Sequence, residues 1–200
     1  MIKPFYEQDG ITIYHGDCRE ILPQLDVKVD LVLTDPPYPD FYITEYRYDV
    51  EVIRDVLTAH DCRQLVFWSA RTDFPLPYTA IHIWNKNPSN TGAQYERIFE
   101  RNGNHHFKVF TYYMVNSTVA ANMTHDIFNE HPSQKPKQLI SKLITDFSDD
   151  GNLILDPFLG SGTTAVAAKI LGRKCIGIEI EEKYCEIAVK RLAQSVMRLE

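Results

Sequence analysis

The stretch Asn152-Leu153-Ile154-Leu155-Asp156-Pro157-Phe158-Leu159-Gly160-Ser161-Gly162-Thr163-Thr164 decides the fold. An apolar run over Asn152–Leu155 predicts a buried strand, and Asp156–Thr164 is a glycine-rich turn that leads into a helix over Ala165–Leu171, closed by Gly172. Cys175–Ile180 predicts a second strand. Glu182–Met197 predicts a second helix whose apolar face carries Tyr184, Ile187, Ala188 and Leu192. Strand, helix, strand and helix in that order build a parallel sheet covered by helices, because parallel neighbours need a crossover and the crossover is helical. The expected class is α/β, doubly wound.

Outward from the turn, Gly160-Ser161-Gly162-Thr163-Thr164-Ala165 lets a ligand approach the backbone at a helix N-terminus, where N–H groups have no partner within the helix. Glu179 ends the next strand, 17 residues after Gly162. A carboxylate there can accept from both hydroxyls of a ribose, which points to an adenosine-bearing cofactor. A nicotinamide dinucleotide satisfies the same spacing, and an oxidoreductase is the reading that follows from the glycines alone. Two features favour S-adenosylmethionine. Asp156 places a carboxylate where a cationic amino acid would bind rather than a pyrophosphate. Only 38 residues follow Gly162, too few for the rest of a dinucleotide sheet.

A second turn carries chemistry of its own. Leu31–Thr34 is an apolar run that stops at Asp35-Pro36-Pro37-Tyr38, and two prolines cannot continue a ladder. The exocyclic amine of a nucleobase is a poor nucleophile because its lone pair is conjugated into the ring. Acceptors for both amino hydrogens free that lone pair for in-line attack on a methyl donor. Asp35 provides one acceptor, the Pro36 carbonyl, stiffened by Pro37, a second, and Tyr38 a flat face for stacking a flipped-out base.

The rest of the chain reads as follows. Ile11–Tyr14 is a strand ending at Gly16-Asp17, Arg19–Leu25 a short helix, Val50–His60 a helix and Gln64–Trp68 a strand. Ile81–Trp84, Tyr95–Phe99 and Phe107–Tyr113 predict further strands in antiparallel arrangement. Pro136 opens a helix with Leu139, Ile140, Leu143, Ile144 and Phe147 on one face. Two hundred residues suffice for one domain with a sizeable core. Neither a membrane-length apolar run nor a signal pattern is present, and Cys18, Cys62, Cys175 and Cys185 are scattered without pairing or zinc spacing, so a reducing cytoplasm is expected. Net charge is −6, yet residues 61–140 carry 8 basic and 6 acidic groups, and phosphate contact needs only a local basic face.

Three motifs together, Leu31 to Tyr38, His131-Pro132-Ser133-Gln134-Lys135-Pro136 and Asp156 to Thr164, resemble the β-class amino-methyltransferases of DNA. The resemblance covers Ile11–Tyr38 and His131–Leu192 well and Ile81–Lys86 with Tyr95–Ile98 more loosely. It implies a circularly permuted Rossmann-like methyltransferase sheet in one domain, with a catalytic half over 1–86, a short target-recognition insert over 87–130 and a cofactor half over 131–200. By the same resemblance Asp35, Pro36, Pro37 and Tyr38 are catalytic. Asp156, Phe158, Gly160, Ser161, Gly162, Thr163 and Thr164 hold the methionine half of S-adenosylmethionine, and Lys135 belongs to the segment that closes over it. Glu179 takes the ribose, Ile180 packs on the adenine and Asp17 reaches the adenine amine. Ser133 stands where threonine is commoner in the family.

The implied reaction is N6-methylation of adenine in double-stranded DNA, with N4-cytosine and RNA amines as rivals; the aspartate at 35 favours adenine. A short insert leaves little for sequence recognition, so a short or relaxed target is expected, with Lys86, Arg97, Arg101 and Lys108 as candidate phosphate contacts. No membrane partner and no metal are expected. The target sequence, a paired restriction enzyme and the oligomeric state, a homodimer included, stay open.

Overall fold

The structure, a computed structural model, describes residues 2–37, 50–86, 95–104, 107–111 and 134–196. Tyr38, the tyrosines at 42, 46 and 48, His105, His106 and the His131–Ser133 half of the second motif lie outside these residues. Among the described residues nine strands form a single sheet. They are β1 (Tyr6–Gln8), β2 (Ile11–His15), β3 (Leu31–Thr34), β4 (Arg63–Trp68), β5 (Ala80–Asn85), β6 (Tyr95–Arg101), β7 (Val109–Thr111), β8 (Leu153–Asp156) and β9 (Lys174–Glu179). The helices are α1 (Cys18–Ile21), α2 (Val50–Thr58), α3 (Lys137–Phe147), α4 (Thr163–Ile170) and α5 (Glu182–Val196).

The sheet order is β1-β2-β9-β8-β3-β4-β6-β5-β7. From β2 to β4 all five strands are parallel, and β4–β6 and β6–β5 are antiparallel. The parallel block takes β2 and β3 from the start of the chain and β8 and β9 from its end, which is the permuted order. From β8 the chain moves on to β9 on one side, and from β3 it moves to β4 on the other. The crevice beyond the carboxyl ends of β8 and β3 is therefore a topological switch point, where open α/β sheets bind ligands.

Strand alternation sorts the core onto two faces. Ile11, Leu31, Leu33, Leu65, Phe67, Trp84, Ile98 and Ile154 pack with the apolar faces of α3, α4 and α5. Val32, Val66, Trp68, Phe99, Leu155 and Ile176 pack with Ile53 and Leu57 of α2. Period-two side-chain direction and helices on both faces explain why the central strands read as continuous apolar runs.

Three expectations are revised. The strand at Ile11 is the second arm of a hairpin with β1, because Asp9 and Gly10 both take positive φ (53° and 78°) and make a two-residue turn of the hairpin type. The helix expected over Arg19–Leu25 begins one residue earlier and gives way at Leu22–Gln24 to a 3₁₀ turn, where Pro23 has no N–H to offer. β7 pairs parallel with β5 rather than antiparallel. Strand β6 already has β4 and β5 on its two sides, so the chain returning from β6 finds an open edge only at β5, whose direction it shares.

Candidate active site

Four neighbouring strands of the parallel block end in, or directly before, a carboxylate. In spatial order these are Asp17 just beyond β2, Glu179 on β9, Asp156 on β8 and Asp35 just beyond β3. All four were singled out in the sequence, and the sheet sets them along one edge.

Asp156 is 4% exposed, and burial pushes its carboxyl up to about 6, against the pull of hydrogen bonds from Thr164, Thr34 and the Phe158 N–H. Thr34 Oγ1 donates to Asp156 Oδ1 at 2.7 Å, so the residue preceding Asp35 is tied to the residue that opens the glycine turn, 122 positions away. Glu179 accepts from the N–H groups of Gly160 and Glu181, each at 2.8 Å, and burial raises its pKa as well. Ile180 is half-buried, and its carbonyl is 3.1 Å from His15 Nε2. Asp17 caps α1 by accepting from Arg19 N–H at 2.9 Å and also holds the Arg19 guanidinium, which depresses its pKa.

The turn is shaped for close packing. Gly162 has φ +81°, and a Cβ there would stand 2.5 Å from the Ala188 Cβ of α5. Gly177 on β9 faces Leu159, whose side chain would lie 2.5 Å from an added Cβ. Ser161 donates to Gln134 Oε1 at 3.1 Å, which joins the turn to the segment before α3. Arg191, buried on α5, donates through one Nη1 to the Ser161 carbonyl (2.7 Å), Ser161 Oγ (3.0 Å) and Thr163 Oγ1 (3.0 Å). Sequence reasoning missed Arg191: its spacing from Ile187 and Ala188 puts it on the apolar face of the helix, but an arginine gives no local signal of what it braces.

Lys135 was expected at the methionine end of the cofactor. Its ammonium is ion-paired with Asp35, lies 3.5 Å from Glu96 Oε2 and sits over the Phe67 ring at 5.1 Å. Glu96, on β6, also holds Lys86. Neither Glu96 nor this pairing was anticipated.

The four candidate phosphate contacts do not form one face. Lys86 and Arg97 lie toward the edge that carries Asp35, whereas Arg101, paired in register with Gln64 at the start of β4, lies at the opposite end, and Lys108 lies toward it. All four have intramolecular partners. Arg97 donates to the carbonyls of Ser69 and Thr72, Arg101 to Pro77, Leu57 and Gln64, and Lys108 pairs with Asp146 at 3.2 Å. No group of three His, Cys, Asp or Glu side chains among the described residues is placed to hold a metal. No helix among them is long and apolar enough to cross a membrane.

A buried carboxylate at the strand end suits a cationic amino acid, and a second one, held rigid by two backbone N–H groups beside a glycine turn, suits vicinal hydroxyls. The residues present therefore fit an amino-acid-bearing nucleoside, in a Rossmann-like sheet of methyltransferase type. Comparison with known proteins agrees. Residues 59–190 match the DNA methylase family N6_N4_Mtase, and the chain belongs to that family. It is 26% identical to the Type II methyltransferase M.ScaI of Streptomyces caespitosus, over 98% of this chain and 86% of that protein. It is 54% identical to the Type II methyltransferase M2.DpnII of Streptococcus pneumoniae over 63 residues, 32% of this chain but only 24% of that relative's length. The crystal structure of the M1.HpyAVI–SAM complex superposes with a TM-score of 0.65 at 27% identity, covering 91% of this chain and 98% of that one.

Proposed function

We propose that the protein methylates the N6 amine of adenine in double-stranded DNA, using S-adenosylmethionine, on a base flipped out of the duplex in the cytoplasm. The observation that carries this reading is the Thr34–Asp156 hydrogen bond. It couples a turn suited to an exocyclic amine to a turn suited to an amino-acid cofactor, on adjacent strands of one sheet edge.

Asp156, Phe158, Gly160, Ser161, Gly162, Thr163 and Thr164 would hold the methionine half, with Glu179 on the ribose and Ile180 and Asp17 at the adenine. When bound, the cofactor supplies a methyl group on a cationic sulfur, already a strong electrophile. The protein's part is then to position the amine. Asp35 and the Pro36 carbonyl accept the two amino hydrogens, which directs the nitrogen lone pair toward the methyl. Bond formation to the nitrogen would be matched by loss of the sulfur–methyl bond, leaving a neutral thioether, and the cationic nitrogen would then release one proton. Asp35 is the proposed acceptor of that proton. Pro36 is buried and followed by Pro37, so its carbonyl is held without a flexible neighbour. Tyr38 follows in sequence and serves as the stacking face. Of the four candidate phosphate contacts, Lys86 and Arg97 lie toward this edge.

The test is transfer of labelled methyl from S-adenosylmethionine to unmethylated duplex DNA, followed by mass analysis of the digested nucleosides. N6-methyladenine that disappears with Asp35→Ala is the expected result. N4-methylcytosine would keep the turn chemistry and overturn the base, and transfer to RNA alone would overturn the substrate.

A further inference from the structure

Lys135 reaches the site from the residue before Pro136, whose extended backbone (φ −59°, ψ 129°) turns the chain into α3. Its side chain is 9% exposed, and its ammonium lies among Asp35, Glu96 and the face of Phe67. Glu96 pairs with Lys86 as well. Asp35, Lys135, Glu96 and Lys86 thus alternate in sign across β3, the segment before α3, β6 and the end of β5. Buried charges of this kind persist only when paired, and removing one member leaves its neighbour uncompensated.

Resting on the activity proposed above, we infer that Lys135 and Glu96 are positioning residues for Asp35: Glu96 anchors the ammonium, and the ammonium fixes the carboxylate that accepts from the target amine. A carboxylate has two oxygens and about four lone-pair sites, so Oδ2 can hold Lys135 while the group still accepts from a base. The ammonium sets the rotamer of Asp35 before the base arrives, which removes an ordering step from the reaction. Burial draws the Lys135 pKa down, but the charges of Asp35 and Glu96 outweigh it and the net shift is upward, in keeping with a lysine that stays charged. This differs from the role of ligand to the methionine end, and the two are separable because one acts on rate and the other on cofactor affinity.

The experiment compares wild type with Lys135→Met, Lys135→Arg and Glu96→Gln. Methyl transfer is read in single turnover at saturating cofactor and DNA, and cofactor Kd by calorimetry. The expected result is a rate about 100-fold lower for Lys135→Met, the scale of loss from a misplacement near 1 Å, with cofactor Kd within about twofold. Glu96→Gln lowers the rate in the same pattern, and Lys135→Arg restores part of it. A cofactor Kd raised tenfold or more with an unchanged saturating rate would overturn the inference in favour of a cofactor ligand.

A second reading does not depend on activity. In nitrogen-15-labelled protein the shielded Lys135 ammonium gives a slowly exchanging proton–nitrogen cross-peak, assigned by its loss in Lys135→Met. It moves in both Asp35→Asn and Glu96→Gln; a peak indifferent to both overturns the inference. Were the wild type to transfer no methyl at all, the proposed activity would fall on that result, while the cross-peak would still decide whether Lys135 holds Asp35.

Discussion

Strand β6 carries two glutamates, one near each end, and they serve different purposes. Glu96 lies toward the edge where the parallel strands terminate, pairs with Lys86, and shares Lys135 with Asp35. Glu100 lies at the other end, wholly buried, with His82 Nε2 at 3.1 Å and Arg63 Nε at 3.3 Å. Nδ1 of His82 accepts from the Lys108 N–H at 3.2 Å, so the imidazole directs its Nε2 proton to Glu100 and ties β5 to the start of β7. Gly103 leaves room for this cluster, since a Cβ there would stand 1.7 Å from Glu100 Oε1. The far cluster closes the sheet with groups already matched. The near cluster holds charges beside the site proposed for the target base. On the proposed reading, buried charge at one end is structure, and at the other it is preparation for binding.

The largest effect should come from breaking the far cluster. Glu100→Ala leaves Arg63 partly buried without its counter-ion and should cost about 4 kcal/mol in urea unfolding, with the transfer rate of the folded fraction unchanged. A lost rate without lost stability would erase the distinction between the two ends.

Next comes Asp156, whose carboxyl is raised to about 6, a rise of about two units that corresponds to about 3 kcal/mol. For a group whose folded pKa is raised, the contribution to stability is complete below the unfolded value near 4 and is lost as pH climbs through about 6. Compared with wild type, Asp156→Asn should therefore gain in relative stability between pH 4 and pH 7. Over the same interval wild-type affinity for S-adenosylmethionine should rise as Asp156 ionises. Denaturant melts and calorimetry across that range check both, and a pH-independent difference would remove Asp156 from the comparison.

Gly162→Ala should cost about 2 kcal/mol, since it adds a Cβ at positive φ against Ala188, and should weaken cofactor binding more than tenfold. Thermal unfolding and calorimetry together check it. The smallest effect is expected for Lys108→Ala. Asp146 keeps Lys142 as a partner, so stability should change by less than about 1 kcal/mol. Lys108 lies toward the far end, so the salt slope of DNA binding should shift by less than the roughly 0.9 expected for a lost phosphate contact.

Most of the parallel half was legible in the chain. Glycines between an apolar run and a helical pattern, prolines after an aspartate, and a glutamate one strand later are local signals with local causes. The hairpin turn at Asp9-Gly10 was equally local and was overlooked. The antiparallel half was less legible, because its basic residues read as solvent-facing. Arg97 and Arg101 instead tie loops and a helix end to the sheet through backbone carbonyls. A guanidinium that serves as an internal tie has the same local sequence as one that meets a phosphate.

The amino-acid sequence by itself determined the α/β class, the order of the motifs and which residues are candidates for the chemistry, because turn geometry and side-chain periodicity act over a few residues. Only the tertiary structure decided that the four carboxylates stand on consecutive strands and that Thr34 reaches Asp156. It alone decided that Lys135 lies between Asp35 and Glu96, that Arg191 braces the glycine turn, and that β7 runs parallel to β5. These depend on strand order and on pairing between charges dozens of residues apart. Such pairings are set by which groups must be matched once water is excluded, and that is settled only when the sheet is assembled.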